Sequence, residues 1–124
     1  MPTYDSSFNP PAPVMPVEVR NPVTGASVQL RAQIDSGTSI TVLPVSAATK
    51  LGLNATGALE ARGFDLIPKQ LPTFLVMMLV DGFVILNAEV VAASRNDMLL
   101  GRDVLQNFIL TLNGKAETFD LVDP

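Results

Sequence analysis

The stretch Ile34-Asp35-Ser36-Gly37-Thr38-Ser39-Ile40-Thr41-Val42-Leu43-Pro44 decides the reading of this chain. Its centre is a run of small polar residues with no bulk to give a core, and apolar residues flank it on both sides. A loop of this kind usually presents something, because exposed loops carry function more often than packing. Asp35 falls at the end of an apolar strand, and Gly37 lets the backbone approach its neighbours closely. Taken alone, Asp-Ser-Gly reads first as an Asx turn, in which the aspartate merely accepts nearby backbone N–H groups.

Working outward, Val17 and Val19, then Val28, Leu30, Ala32 and Ile34, alternate with polar neighbours on either side of Asn21-Pro22-Val23-Thr24-Gly25, a pattern that predicts a hairpin. Pro44 opens a short helix over Val45 to Leu51, which Gly52 stops. Phe74 to Val80 and Phe83 to Val91 are apolar and β-branched, joined by Asp81-Gly82, and so predict a tight hairpin of largely buried strands. Met98-Leu99-Leu100-Gly101 leads into a short helix, Arg102 to Asn107. A strand, Phe108 to Leu112, follows, with Asn113-Gly114 turning the chain back. The tail Thr118 to Val122 reads as a last strand, able to pair with another subunit or to close its own sheet. Residues 1–16, with Pro2, Pro10, Pro11, Pro13 and Pro16, read as an extended or disordered arm, and residues 17–124 as one domain. An apolar strand, a glycine turn and a short helix occur twice, around Ile34 to Leu51 and Met98 to Asn107, as shared geometry without repeated identities.

Composition narrows the chemistry. Apolar residues make up 48% of the chain and charged residues 16%, more apolar surface than one small core hides, which points to an interface or an apolar groove. The longest apolar run stops at Asp81, far short of the roughly 18 residues a membrane helix requires. The N-terminal residues have neither the basic start nor the apolar stretch of a secretory signal, so a cytoplasmic setting is expected. Asn54-Ala55-Thr56 fits a glycosylation acceptor, but without such a signal it reads as a chance match. Cysteine and histidine are both absent, which removes Ser-His-Asp and Cys-His nucleophiles and the usual zinc sites. Carboxylates, hydroxyls and lysines remain. A net charge of −4 with eight scattered Lys and Arg argues against a nucleic-acid partner.

The eleven residues from Ile34 to Pro44 resemble the catalytic loop of retropepsin-like aspartic peptidases, in which Asp-Thr/Ser-Gly follows one apolar strand and precedes another. Met98-Leu99-Leu100-Gly101-Arg102-Asp103-Val104-Leu105 is similar to the same family's second signature. The resemblance implies an all-β, retropepsin-like closed barrel with one or two short helices, and an endopeptidase with an apolar-preferring cleft. It also implies a homodimer acting on a peptide or protein substrate, since the chain holds a single motif and two Asp35 carboxyls must meet. Two carboxylates about 3 Å apart cannot both ionise and so share a proton, a behaviour established for aspartic peptidases as a class. No cofactor, metal, nucleic acid or membrane is called for.

Asp35 is thus the implied catalytic residue, with Ser36, Gly37, Thr38 and Ser39 supporting its loop. Ser36 would hydrogen-bond across the twofold axis, while Thr38 and Ser39 would sit at the cleft floor. Leu100, Gly101 and Arg102 are implied structural neighbours. Viral members often carry an acid at the position of Ser39 that pairs with the helix arginine, so Arg102 needs some other acid, and a buried ion pair is expected for it. Asp103, at the start of the helix, reads as a cap. The segment Arg62 to Gln70 would be the flap, presenting Gly63, Phe64, Leu66 and Ile67, although it lacks the glycine cluster of viral flaps. The alternative is a non-catalytic dimerisation or peptide-binding module on the same fold.

Overall fold

Strands that alternate inward and outward residues need a curved sheet to enclose one core, and here the curvature goes to closure. The computed structural model describes residues 2–62 and 68–124. Seven strands form one sheet: β1 (Val14–Arg20), β2 (Ser27–Ile34), β3 (Val42–Pro44), β4 (Gly57–Arg62), β5 (Pro68–Val80), β6 (Phe83–Ala93) and β7 (Met98–Leu100). Their order is β1-β2-β7-β3-β6-β5-β4. A further antiparallel pairing sets Glu18 against Leu79 and Arg20 against Met77. It joins β1 to β5, so six strands close into a barrel and β4 hangs outside on β5. The helices are α1 (Val45–Lys50) and α2 (Arg102–Leu105), and a separate hairpin pairs β8 (Ile109–Asn113) with β9 (Thr118–Val122). Among the described residues, no helix is long and apolar enough to cross a membrane.

Inside the barrel Val17, Val19, Ala32, Leu43, Val76, Val80, Val90, Met98 and Leu100 are wholly enclosed. Burying each Val, Leu or Met side chain among them is worth about 1.5–3 kcal/mol, and this core holds the ring shut. Asp81 and Gly82 both adopt positive φ (48° and 81°), the backbone a two-residue primed turn requires. The strands that this turn joins differ from the sequence expectation. Leu75, Leu79, Val84 and Leu86 face outward and are exposed, because a barrel wall has only one inner face. The second expected tight turn also differs. Residues 114–117 make a longer loop, in which the Asn113 carboxamide oxygen accepts the Ala116 N–H at 3.0 Å and Glu117 takes the positive φ.

The proline-rich N-terminus is held against the domain. Thr3 bridges Thr118 of β9, Tyr4 N donates to Glu117 O at 2.7 Å, and the Tyr4 ring lies against Phe119. Asp5 bridges Ala12, and β1 already begins at Val14, inside the stretch read as an arm. β9 is consequently paired with β8 along its length and meets the N-terminal segment at its first residues, Thr118 and Phe119. The tail closes its own sheet with β8, with Phe119 and Leu121 buried.

Two parallel pairings prepare the site. β2 runs beside β7 with Ile34 opposite Leu100, so the residues after both strands leave the barrel side by side. β3 runs beside β6 and meets β7 at Val42–Leu99, which returns the intervening loop 35–41 to the same end of the barrel.

Candidate active site

Asp35 leaves β2 with its backbone still paired, its N–H donating to Leu100 O at 3.0 Å. The half-buried carboxylate is held by its own loop: Oδ1 accepts the Gly37 N–H at 2.9 Å and Oδ2 accepts the Thr38 hydroxyl at 2.7 Å. Thr38 N donates back to Asp35 O at 3.2 Å, which completes a tight turn. The turn has the Asx geometry and still leaves the carboxylate partly open at the barrel end. A Cβ on Gly37 would come within 3.2 Å of Asp35 Oδ1, so the glycine keeps room beside the acid.

The start of α2 grips this loop at three points. Arg102 N donates to Thr38 O at 2.8 Å, and Arg102 Nη1 donates to Ser36 O at 2.8 Å. Asp103 reaches Thr41, taking its N–H on Oδ2 at 3.0 Å and its hydroxyl on Oδ1 at 2.8 Å. Between them sits Gly101, where a Cβ would fall 2.9 Å from Ile40 C and Thr38 O. Its φ of −89° is ordinary, so glycine is required here by the closeness of the loop rather than by backbone conformation.

The residues named from sequence thus gather as follows. Asp35, Ser36, Gly37, Thr38 and Ser39 form one loop, and Leu100, Gly101 and Arg102 pack against it. Thr38 bonds to the acid itself rather than only lining a floor. Ser36 and Ser39 are exposed. Gly63, Phe64, Leu66 and Ile67 lie outside the described residues. The buried ion pair expected of Arg102 is not formed: the side chain is exposed, makes no ion pair among the described residues, and binds a carbonyl instead. With serine at position 39 no acid faces it from the loop, and an exposed guanidinium needs none.

Asp103 does not cap the helix: Gly101 is the N-cap and, among the described residues, no side chain caps it, while Asp103 lies in the first turn, its Oδ1 accepting the Val104 N–H at 2.9 Å. It also holds Thr41, which the sequence reading passed over. Thr41 sits among Ile40, Val42 and Leu43 and reads as one more strand residue; its only signal was a hydroxyl inside an apolar run. A cavity of about 450 Å³ adjoins the loop, between Ser39 and Ile40 on one side and Ala88, Glu89, Asp103 and Asn107 on the other. One of about 570 Å³ lies away from Asp35, between β1, the Asp81-Gly82 turn and β9.

A closed six-stranded barrel whose parallel pair delivers an Asp-Ser-Gly loop against a Gly-Arg-Asp helix start defines the retropepsin-like aspartic protease fold. Solved structures agree. The chain is similar to the EIAV protease complexed with the inhibitor HBY-793, at 22% identity over 77% of this chain and 86% of that one, with a TM-score of 0.54. It is similar to a retropepsin-like aspartic protease from Rickettsia conorii, at 19% identity over 82% and 87%, TM-score 0.54. It is also similar to the retroviral protease-like domain of Ddi1 from Leishmania major, at 15% identity over 91% and 90%, TM-score 0.56. No protein-family model and no curated protein matches the sequence. At these identities the likeness establishes the fold.

Proposed function

We propose that this protein is an aspartic endopeptidase whose active site forms between two identical chains, each supplying Asp35. The observation that carries the reading is the setting of Asp35: a half-open carboxylate at the barrel end, fixed by Gly37 N–H and the Thr38 hydroxyl on a loop that α2 holds from behind. Each chain has one such acid, and the chemistry takes two. In the pair, an ionised Asp35 accepts a proton from water as the water attacks the peptide carbonyl, and the protonated partner donates to the carbonyl oxygen. The roles reverse when the amine departs. In such a dimer the Ser36 hydroxyls would bond across the twofold axis, a role that the exposure of Ser36 supports.

Asp35→Asn keeps the shape and removes the charge and the shared proton. Cleavage of a peptide library is expected to fall to background while the folded dimer persists. Equal cleavage by both proteins would sink the catalytic assignment. A non-catalytic dimerisation or peptide-binding module is the second reading, favoured by the extent of the match to a domain described only as protease-like. It predicts peptide binding without cleavage by the wild type, and the same library separates the two.

A further inference from the structure

We propose that Asp103 is a positioning residue for Asp35: its carboxylate, acting through Thr41, fixes the loop that carries the candidate acid, and a neutral amide cannot replace it. The kinetic part of this inference rests on the peptidase reading above. Three donors converge on the Asp103 carboxylate, the Thr41 hydroxyl and Val104 N–H on Oδ1 and the Thr41 N–H on Oδ2, at 2.8, 2.9 and 3.0 Å. An asparagine, in either amide orientation, turns its NH2 toward at least one of these donors and so opposes donor to donor. Thr41 is wholly buried, so a lost partner there is not replaced by solvent.

Thr41 in turn accepts the Gly101 N–H on its hydroxyl at 3.1 Å. Its hydroxyl is therefore committed as both donor and acceptor, tying position 41 of the loop to both residues that open α2. From there the path to the acid is short. Gly101 touches Thr38 O and Ile40 so closely that no methyl group fits, Arg102 N holds Thr38 O, and the Thr38 hydroxyl donates to Asp35 Oδ2. An acid serving only the first turn of its own helix needs no contact beyond Val104. The two bonds to a buried threonine 62 positions away in sequence serve the loop.

The test compares Asp103→Asn, Thr41→Val, Thr41→Ser and the Asp103→Asn/Thr41→Val double variant, each as the full chain. Steady-state kinetics are taken per folded protein, and hydrogen exchange of the Gly37 amide, which donates to Asp35 Oδ1, is followed by NMR. Asp103→Asn and Thr41→Val are each expected to lower kcat at least tenfold with KM within threefold, and to speed Gly37 exchange at least tenfold. Thr41→Ser, which keeps the hydroxyl, should stay within threefold of wild type on both. The double variant should be little worse than the worse single, since both cut one contact. Lower melting temperatures with unchanged kcat and unchanged Gly37 exchange would overturn the proposal, leaving Asp103 a purely structural residue of α2. So would losses that add independently in the double variant. If the wild type hydrolyses no peptide, the peptidase reading fails by itself, and Gly37 exchange alone decides the positioning role.

Discussion

Thr38 donates its hydroxyl to Asp35 Oδ2 at 2.7 Å, a bond of a kind worth about 1.5–3 kcal/mol when the acceptor is charged. Thr38→Val is therefore expected to lower kcat/KM by roughly tenfold or more, and Thr38→Ser to retain most of it; equal kinetics in all three proteins would remove Thr38 from the site. Gly101 sets a different limit. Gly101→Ala drives a methyl into backbone at 2.9 Å, which neither Ile40 nor Thr38 can yield without moving the loop. Thermal or denaturant unfolding should register a loss of about 1–3 kcal/mol, the usual range for overpacking. Arg102 contrasts with both. Among the described residues its exposed guanidinium binds one carbonyl and no acid, so Arg102→Ala should cost about 1 kcal/mol or less, far below the cost of breaking a buried pair.

The N-terminal segment is the element whose attachment is expected to respond to acid. Asp5 accepts the Ser7 N–H at 2.8 Å and pairs with Arg31, and these contacts, those of Ser7 foremost, hold its carboxyl below the usual aspartate range. A depressed value in the folded state means the stabilisation is complete above the ordinary aspartate value near 3.8 and is lost as pH falls through the lower folded value. Phe8, whose ring centroid lies 5.9 Å from the Arg31 guanidinium carbon, reports the change. Its NMR signals should move toward those of an unstructured ring under strongly acidic conditions, while Asp5→Asn should show the loosened state at neutral pH. Phe8 signals independent of both would show that Asp5 does not hold the segment. That attachment was not legible in sequence, because proline-rich composition reports the lack of regular periodicity but not the single bridges, Thr3 to Thr118 and Asp5 to Ala12, that dock a segment. The β1–β2 and β5–β6 hairpins were legible, since alternation and Asp81-Gly82 act locally. Asp35 and its loop were legible for the same reason. The Asp103 to Thr41 bond was not, for it arises only when parallel β2 and β7 bring distant residues together. The partner foreseen for Arg102 failed because exposure, which decides whether a charge needs an acid, belongs to the folded surface.

At the scale of the whole molecule, the proposed dimer needs a surface for a second chain, and the outer edge of β8 is one that the fold leaves open. β9 meets the N-terminal segment at Thr118 and Phe119, and among the described residues β8 pairs only with β9, leaving its other edge open beside the exposed Ile109 and Val122. Antiparallel pairing of two β8 edges across a twofold axis satisfies open backbone groups and covers apolar surface, so Ile109→Lys should weaken association while leaving the monomer folded. Sedimentation that shows the same dimer affinity would place the interface elsewhere. Phe119, only 1% exposed, belongs instead to the core, and Phe119→Ala should cost about 3–5 kcal/mol of stability. The shared site itself is tested most directly by mixing. Wild-type chains are exchanged with increasing proportions of Asp35→Asn chains at fixed total concentration, and peptide cleavage is measured per wild-type chain once subunit exchange is confirmed. An active site built from two Asp35 carboxyls predicts that activity per wild-type chain falls in proportion to the wild-type fraction, because each mixed dimer holds one competent acid. Activity per wild-type chain that stays constant at every ratio would contradict it.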